Sequence, residues 1–220
     1  MTEQRVYVYV QDTWSDWEAG YIMAELNTGR FFKKKEERLP VKTVGITKDP
    51  IMTMGGVRLT PDLTLRAVTP ESSAALILVG GDTWQDPKHQ PVIERAKMLL
   101  DAGSNVAAIC GATSALAEAG LFDHRPHTSN GMQYLKMVAP NYKGEKYYKE
   151  DRAVSDGNLI TASSAGPLQF TRYILERLDV FSDEALEAWY NYFNTGEAKY
   201  FFALMSAIPK SEVWDLERQP

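Results

Sequence analysis

Cys110 is the only cysteine in a chain of 220 residues, and Gly111 follows it directly. The apolar run Val106-Ala107-Ala108-Ile109 precedes the pair and has the length of a buried strand. Small residues and good helix formers run from Ala112 to Ala119, closed by Gly120. A strand that turns into a helix through Cys-Gly holds its thiol at the carboxyl edge of a sheet, above the first N–H groups of the helix. Thiolates and oxyanions are stabilised at such a place. The pattern is that of a nucleophile elbow with cysteine in the place of serine. The helix dipole is expected to lower the thiol pKa below its free value of about 8.5. The alternative is an inert core cysteine at a strand end, since free cysteine is among the most buried residue types.

Three other stretches could join Cys110. Glu18 falls in the first turn of an expected helix, on a face with Trp14, Tyr21, Ile22 and Glu25. It can exchange a proton with the thiol or merely complement the helix dipole. Ionised, it opposes a thiolate; protonated, it can donate to one. Gly80-Gly81-Asp82 closes another apolar run, and glycines there let a ligand or backbone approach closely. An ordinary tight turn would look the same. Ser163-Ser164-Ala165-Gly166 follows a third apolar run.

The elements that must position these groups are legible in order. Val6–Val10 is β-branched and aromatic throughout, as in a strand buried on both faces. A helix is expected from about Ser15 to Asn27, with Gly29 as its stop. Val41–Thr47 reads as a strand. Ile51–Met54 and Val57–Leu59, either side of Gly55-Gly56, read as a small hairpin. Leu63–Val68 is ambiguous. Ala75–Val79 is a buried strand and His89–Ala102 an amphipathic helix. After the Cys110 unit come a turn over Phe122–Pro126, a short strand His127–Asn130 and a short helix Met132–Val138. Ala153-Val154 and Leu159–Ala162 form a hairpin through Asp156-Gly157. A helix then runs to about Leu178, and Ser182–Phe193 and Glu197–Ala207 form a helical tail rich in aromatics. Alternating strands and helices imply an α/β fold, a doubly wound and mostly parallel sheet covered on both faces. Sites in such sheets lie beyond the carboxyl ends of the strands. Glu18, Gly80-Gly81, Cys110 and Ser163–Gly166 all follow such ends, and this convergence favours a reactive Cys110.

Composition narrows the function. The net charge is −5, and Lys33-Lys34-Lys35 is answered at once by Glu36-Glu37 in what reads as a solvated loop or helix end. Nucleic-acid binding has no electrostatic support. A lone cysteine permits neither an intrachain disulfide nor a cysteine-rich zinc site, and no metal or cofactor is expected. No apolar run approaches the ~18–20 residues of a membrane span, and Met1–Gln4 shows no basic segment of a signal peptide. The expectation is a cytoplasmic protein of one domain, residues 1–220, with residues 181–220 as its helical tail.

At these residues the chain resembles the ThiJ/PfpI family of the class I glutamine amidotransferase-like superfamily, whose fold is flavodoxin-like. The resemblance covers nearly all of residues 5–180. Its most specific part is A-I-C-G-A-x-x-x-L-A-x-A-G-L-x-D-x-R at Ala108–Arg125, followed by Thr128-Ser129-Asn130. Asp16-Trp17-Glu18-Ala19 and Leu78-Val79-Gly80-Gly81-Asp82 support it. It implies a nucleophilic Cys110, Glu18 as its carboxylate partner, and an oxyanion hole from the N–H groups of Gly81 and Gly111. Gly80, Trp84, Asn130 and Ser164 are the candidates for binding substrate. One departure is informative. Relatives with a triad-like site carry His where this chain has Asn130. His127 lies three residues earlier, which on a strand turns it to the opposite face, and His124 sits in the turn. The His-x-Glu pair of true glutaminases is absent because no His follows His127. The resemblance therefore argues against glutamine hydrolysis, and against an imidazole base in a proteolytic mechanism.

The leading expectation is a cysteine-dependent hydrolase or lyase acting on a carbonyl, acyl or amide group of a small molecule or peptide. A redox sensor in which Cys110 oxidises to a sulfinate is the alternative. A scaffold that assembles through its tail is the third reading. Trp189, Tyr190, Tyr192, Phe193, Tyr200, Phe201 and Phe202 cannot all lie on one stripe. The remainder would expose apolar surface, so a homodimer is expected, with the tail in its interface or over the edge of the site. The family resemblance points to dimers as well.

Overall fold

A computed structural model describes residues 4–34 and 39–208. The end of the Lys33–Glu37 charge run lies outside the described residues. Strand β1 (Arg5–Tyr9) leads into helix α1 (Asp16–Thr28), then β2 (Val41–Gly45) and a hairpin of β3 (Ile51–Met52) and β4 (Arg58–Leu59). Next come β5 (Leu63–Thr64), β6 (Ser73–Leu78), α2 (Gln90–Asp101) and β7 (Asn105–Ile109). The elbow helix α3 (Gly111–Glu118) is followed by α4 (Met132–Val138), β8 (Ala153–Asp156) and β9 (Leu159–Ala162). Helices α5 (Pro167–Leu178), α6 (Asp183–Thr195) and α7 (Ala198–Ser206) end the described chain.

Seven strands form one sheet in the order β5-β2-β1-β6-β7-β9-β8. Every pairing is parallel except β8 with β9. The fold is flavodoxin-like, with helices on both faces of the sheet. Strand β1 shows why its sequence is apolar throughout. Val6, Val8 and Val10 enter the core shared with α1, α5 and α6. Tyr7 and Tyr9 enter the opposite core, shared with α2 and α3. A strand buried on both faces has no solvent side to mark with polar residues.

Two sequence expectations change. The ambiguous Leu63–Val68 stretch divides into the edge strand β5 and a 3-10 turn over Leu65–Ala67. His127–Asn130 is not a strand. It makes a single isolated bridge, His127 to Tyr148. Side chains take over the role of a ladder: the Thr128 N–H donates to Thr161 Oγ1 at 2.9 Å, and Thr128 Oγ1 donates to the Asp151 carbonyl at 2.8 Å. Gly131, at φ 147°, then turns the chain into α4.

The tail docks through a buried charge. Ser182 caps α6, its Oγ accepting from the Ala185 N–H at 3.2 Å. Trp189 is fully buried and its Nε1 donates to Glu25 Oε1 at 3.0 Å. Arg30 completes the pairing, with Nη2 2.5 Å and Nε 3.0 Å from the same carboxylate. A buried carboxylate survives only with such partners, so Glu25 and Arg30 hold Trp189 against α1. Leu204 of α7 is also buried, while Phe193, Phe201, Phe202 and Met205 face outward.

Candidate active site

The elbow forms where β7 ends. The Cys110 N–H donates to the Ala162 carbonyl of β9 at 2.9 Å, the last bond before the chain turns. Cys110 then adopts φ 58° and ψ −125°, a conformation that a side chain rarely takes. Three contacts hold it there. The Cys110 carbonyl accepts from the Thr113 N–H at 3.1 Å and from Thr113 Oγ1 at 2.5 Å. Thr113 Oγ1 in turn shares a hydrogen bond of 2.6 Å with Ser129 Oγ. This strained backbone stays in place because its surroundings over-determine it. Thr113 was not singled out in the sequence, where a threonine in a helix carries no distinguishing pattern, and Ser129 entered only as part of the Thr128-Ser129-Asn130 motif, without this role.

Glycines make the close approaches possible. The Gly80 N–H donates to Glu18 Oε2 at 2.8 Å, and the Ser15 N–H donates to the Gly80 carbonyl at 3.0 Å. These two bonds tie the start of α1 to the end of β6. A Cβ on Gly80 would stand 2.5 Å from Glu18 Oε2, 2.9 Å from Cys110 Cβ and 3.1 Å from Cys110 Sγ. A Cβ on Gly111 would stand 2.9 Å from the Gly81 carbonyl oxygen and 3.2 Å from Trp84 Cδ1. Gly80, Gly81 and Gly111 thus let carboxylate, thiol and peptide groups crowd into one place, as their positions after the strands suggest.

Asn130 closes the solvent side. Its Nδ2 donates to Cys110 Sγ at 3.3 Å, and its Oδ1 accepts from the Ser164 N–H at 2.8 Å. The amide therefore bridges the thiol to the loop after β9. Ser164 contributes its backbone to this bridge. Trp84 has a supporting place. It is buried, donates from Nε1 to the Val79 carbonyl at 2.8 Å, and packs against the rings of Tyr9 and His89. It braces the Gly111 turn from below, so the expectation that it meets substrate changes to that of a brace.

No histidine bonds the thiol. His127 is fully buried, with Nδ1 2.8 Å from the Arg125 carbonyl oxygen, Nε2 2.6 Å from Tyr142 Oη, and its ring stacked on Phe122. His124 lies edge-on to Tyr147. His89 shares its nitrogens with Tyr9 Oη at 2.8 Å and Thr83 Oγ1 at 3.1 Å.

The electrostatics reverse one expectation. Burial pushes the Cys110 thiol up to about 11, and the charge of Glu18 adds to the rise. Asn130 and the Gly111 N–H pull in the other direction and are outweighed. The helix dipole thus does not win, because a thiolate here loses its water and faces a carboxylate. Glu18 is itself raised by burial, against the pull of its bonds to Cys110 and Gly80. Its carboxyl is 0% exposed, and Oε1 has no partner by hydrogen-bond geometry among the described residues. Tyr134 on α4 is also raised, first by burial and then by the charges of Cys110 and Glu18. Sequence reading missed it because a tyrosine within a short amphipathic helix looks like core.

The arrangement is a half-buried thiol beside the carboxyl of Glu18, two peptide turns that offer N–H groups, and an amide on the open side. It can present sulfur to an electrophilic carbon and move one proton between sulfur, Glu18 and a developing oxyanion.

Known proteins are similar to this chain in sequence and fold. The chain is 47% identical over 208 residues to the uncharacterized protease YoaZ of Bacillus subtilis, covering 94% of this chain and 99% of that protein. It is 27% identical over 139 residues to the deglycase PfpI of Pyrococcus furiosus, covering 63% of this chain and 81% of that protein. The crystal structure of a thiJ/pfpI family protein from Bacillus anthracis superposes with a TM-score of 0.90 at 52% identity, covering 94% of this chain and 98% of that one. The DJ-1/PfpI family model matches residues 4–177. The chain therefore belongs to the DJ-1/PfpI family.

Proposed function

We propose that this protein is a cysteine-dependent hydrolase or lyase that acts through Cys110 on a carbonyl or acyl carbon of a small molecule or peptide. The observation that carries this reading is the strained backbone of Cys110, φ 58°, held beside Glu18 and the Gly80–Gly81 turn. Strain of this kind is retained where a side chain must be presented. The names of the relatives, a protease and a deglycase, agree with acyl or carbonyl chemistry at the family level.

In the proposed step Glu18, as carboxylate, takes the thiol proton while Cys110 Sγ bonds to the carbonyl carbon. The carbonyl π pair moves to oxygen, where the N–H groups of Gly81 and Gly111 receive the oxyanion. Glu18 then returns its proton to that oxygen. The charges balance with one titrating group. With an acyl substrate the same proton passes from Glu18 to the leaving atom as the carbonyl re-forms, and water then hydrolyses the acyl-cysteine. The missing His-x-Glu pair is what argues against glutamine hydrolysis.

No helix among the described residues is long and apolar enough to cross a membrane. A cytoplasmic homodimer with no nucleic-acid partner completes the proposal. The outward Phe193, Phe201, Phe202 and Met205 support assembly, and sedimentation equilibrium reporting a monomer at tens of micromolar would overturn it. The function is tested by screening small aldehydes, activated esters and thioesters with wild-type protein and Cys110→Ala. Turnover that disappears in the variant supports the reading. Turnover that persists after quantitative alkylation of Cys110 contradicts it; ammonia release from glutamine that depends on Cys110 would overturn the exclusion of glutamine.

A further inference from the structure

Among the described residues three other than glycine take a positive φ: Cys110, Asp179 and Thr13. Asp179 ends α5, where aspartate tolerates the left-handed conformation. Cys110 forms the elbow. Thr13, at φ 64°, is the outlier, because a β-branched side chain crowds its own backbone there. Glycine or asparagine would make the same turn with less strain. A threonine kept at this position needs a reason in its side chain.

Its contacts supply one. Thr13 Oγ1 accepts from the Asp82 N–H at 2.7 Å. Two residues further, the Ser15 N–H donates to the Gly80 carbonyl at 3.0 Å. Gly81 lies between these two bonds, which hold the peptides on either side of it. The peptides are trans, so the carbonyl and N–H of each point in opposite directions. With the Gly80 carbonyl drawn to the start of α1, the Gly81 N–H points away from α1. Its nitrogen lies 3.5 Å from where a Cβ on Gly111 would stand, and it has no acceptor among the described residues. With the Asp82 N–H drawn to Thr13, the Gly81 carbonyl is turned against Gly111. Glycine has little conformational preference of its own, so the orientation of both peptides is imposed from outside. The strained residue is braced in turn. Its N–H donates to the Met52 carbonyl at 2.8 Å, and the Met52 N–H donates to Asp12 Oδ1 at 3.0 Å.

We propose that Thr13 is a positioning residue, whose hydroxyl holds Gly81 so that its N–H faces the oxyanion formed at Cys110. This rests on the reading of Cys110 as a nucleophile. A donor of this kind stabilises the transition state only if it is aimed before the charge develops. The N–H meets a charge that the ground state lacks, so loss of aim lowers kcat and leaves KM nearly unchanged.

The test compares Thr13→Val, which keeps the branched shape and loses the acceptor, with Thr13→Ser, which keeps the acceptor. Residual dipolar couplings of the isotope-labelled full chain report N–H orientations without any turnover. In Thr13→Val the couplings of Gly81 and Asp82 should change while those of β6 and β7 keep their wild-type values. In Thr13→Ser all should stay. With the aldehyde, ester or thioester turned over in the Cys110 screen, Thr13→Val should lose at least about tenfold in kcat, toward the roughly 10²–10³-fold loss of a whole oxyanion donor. KM should stay within about threefold, and Thr13→Ser should stay within about threefold of wild type in both constants. Thr13→Gly removes the hydroxyl and relieves the strain together, so its kcat should fall with little change in the denaturation midpoint. It takes the place of Thr13→Val if that variant does not fold. Unchanged couplings at Gly81 and Asp82 in a folded variant without the hydroxyl overturn the proposal. So does a kcat kept despite changed couplings, or a loss shared by Thr13→Ser. A wild type that turns over none of the substrates defeats the reading of Cys110 instead, and the couplings still decide whether Thr13 aims Gly81.

Discussion

Glu18 Oε2 and Cys110 Sγ share the space that a side chain on Gly80 would need, lying 2.5 Å and 3.1 Å from the position of its Cβ. The residues are far apart in sequence, and the Gly80 N–H holds the carboxylate at 2.8 Å. Carboxyl and thiol therefore meet across a bare peptide.

Gly80→Ala should disrupt this meeting. Its methyl group would overlap Glu18 Oε2 and Cys110 Cβ, and overpacking of this kind costs about 1–3 kcal/mol. Denaturant unfolding should register that loss, and turnover should fall at least tenfold. A variant of unchanged stability and activity would show that the close approach has no consequence.

Glu18→Gln should separate the two influences on the thiol. Burial is the larger cause of the rise to about 11, and the charge of Glu18 is the next. Removing that charge lowers the thiol pKa but leaves the burial contribution. Iodoacetamide should then label Cys110 faster at pH 8, and the rate should level off at lower pH than in wild type. Turnover should nevertheless fall by about 10²–10⁴-fold, the usual effect of losing a general base. An alkylation profile identical to wild type would remove Glu18 from the argument.

Asn130→Ala should act in the opposite direction. Its Nδ2 is a donor to the sulfur, and that bond lowers the thiol pKa. Loss of the donor should slow alkylation at pH 8–9 and push the profile further up. The Ser164 N–H loses its acceptor at the same time, so protection of that amide from hydrogen exchange should drop. A faster-labelling variant would contradict the assignment.

His89 should make the fold acid-sensitive. Burial depresses its pKa from 6.5 to about 4. The unfolded chain then binds the proton first, so this contribution is fully present above about pH 6.5 and is lost as pH falls toward 4. The shift corresponds to at most about 3 kcal/mol. Chemical denaturation of wild type and His89→Gln at several pH values checks this. The stability difference between them should shrink as pH falls through that window; a constant difference would count against it.

Trp189→Phe should loosen the tail while nearly preserving its bulk. The variant removes the 3.0 Å bond to the buried Glu25 carboxylate. Hydrogen bonds to charged groups contribute about 1.5–3 kcal/mol, so a destabilisation of that order should appear in urea unfolding. Truncation after Val180 should cost more, since it removes Phe181 and Trp189 together and uncovers Tyr21, Phe31 and Phe32, which pack on them. A soluble and equally stable truncated chain would show that the tail is dispensable.

Much of the architecture was legible because its signals are local. The doubly apolar runs Val6–Val10 and Ala75–Val79 could only be strands buried on both sides, and the Cys-Gly step after Ile109 could only be a sharp turn. Cys110, Glu18 and Gly80 were placed together in advance because each follows the carboxyl end of a strand, and Asn130 joined them only through the family resemblance. His127–Asn130 misled because its β-like composition is local, whereas the groups that hold Thr128, the Thr161 hydroxyl and the Asp151 carbonyl, are distant in sequence. The direction of the thiol shift was beyond the sequence for a related reason. A helix N-terminus is visible in a string of residues; the loss of water around Cys110 and the approach of Glu18 exist only once β1, β6 and β7 lie side by side. The same holds for Trp84, whose indole finds the Val79 carbonyl beneath the turn, and for Gln11, left unpaired beside Gly81. Periodicity and turn chemistry are short-range properties of the chain, while desolvation and side-chain partnership are set by what folding brings within a few ångströms.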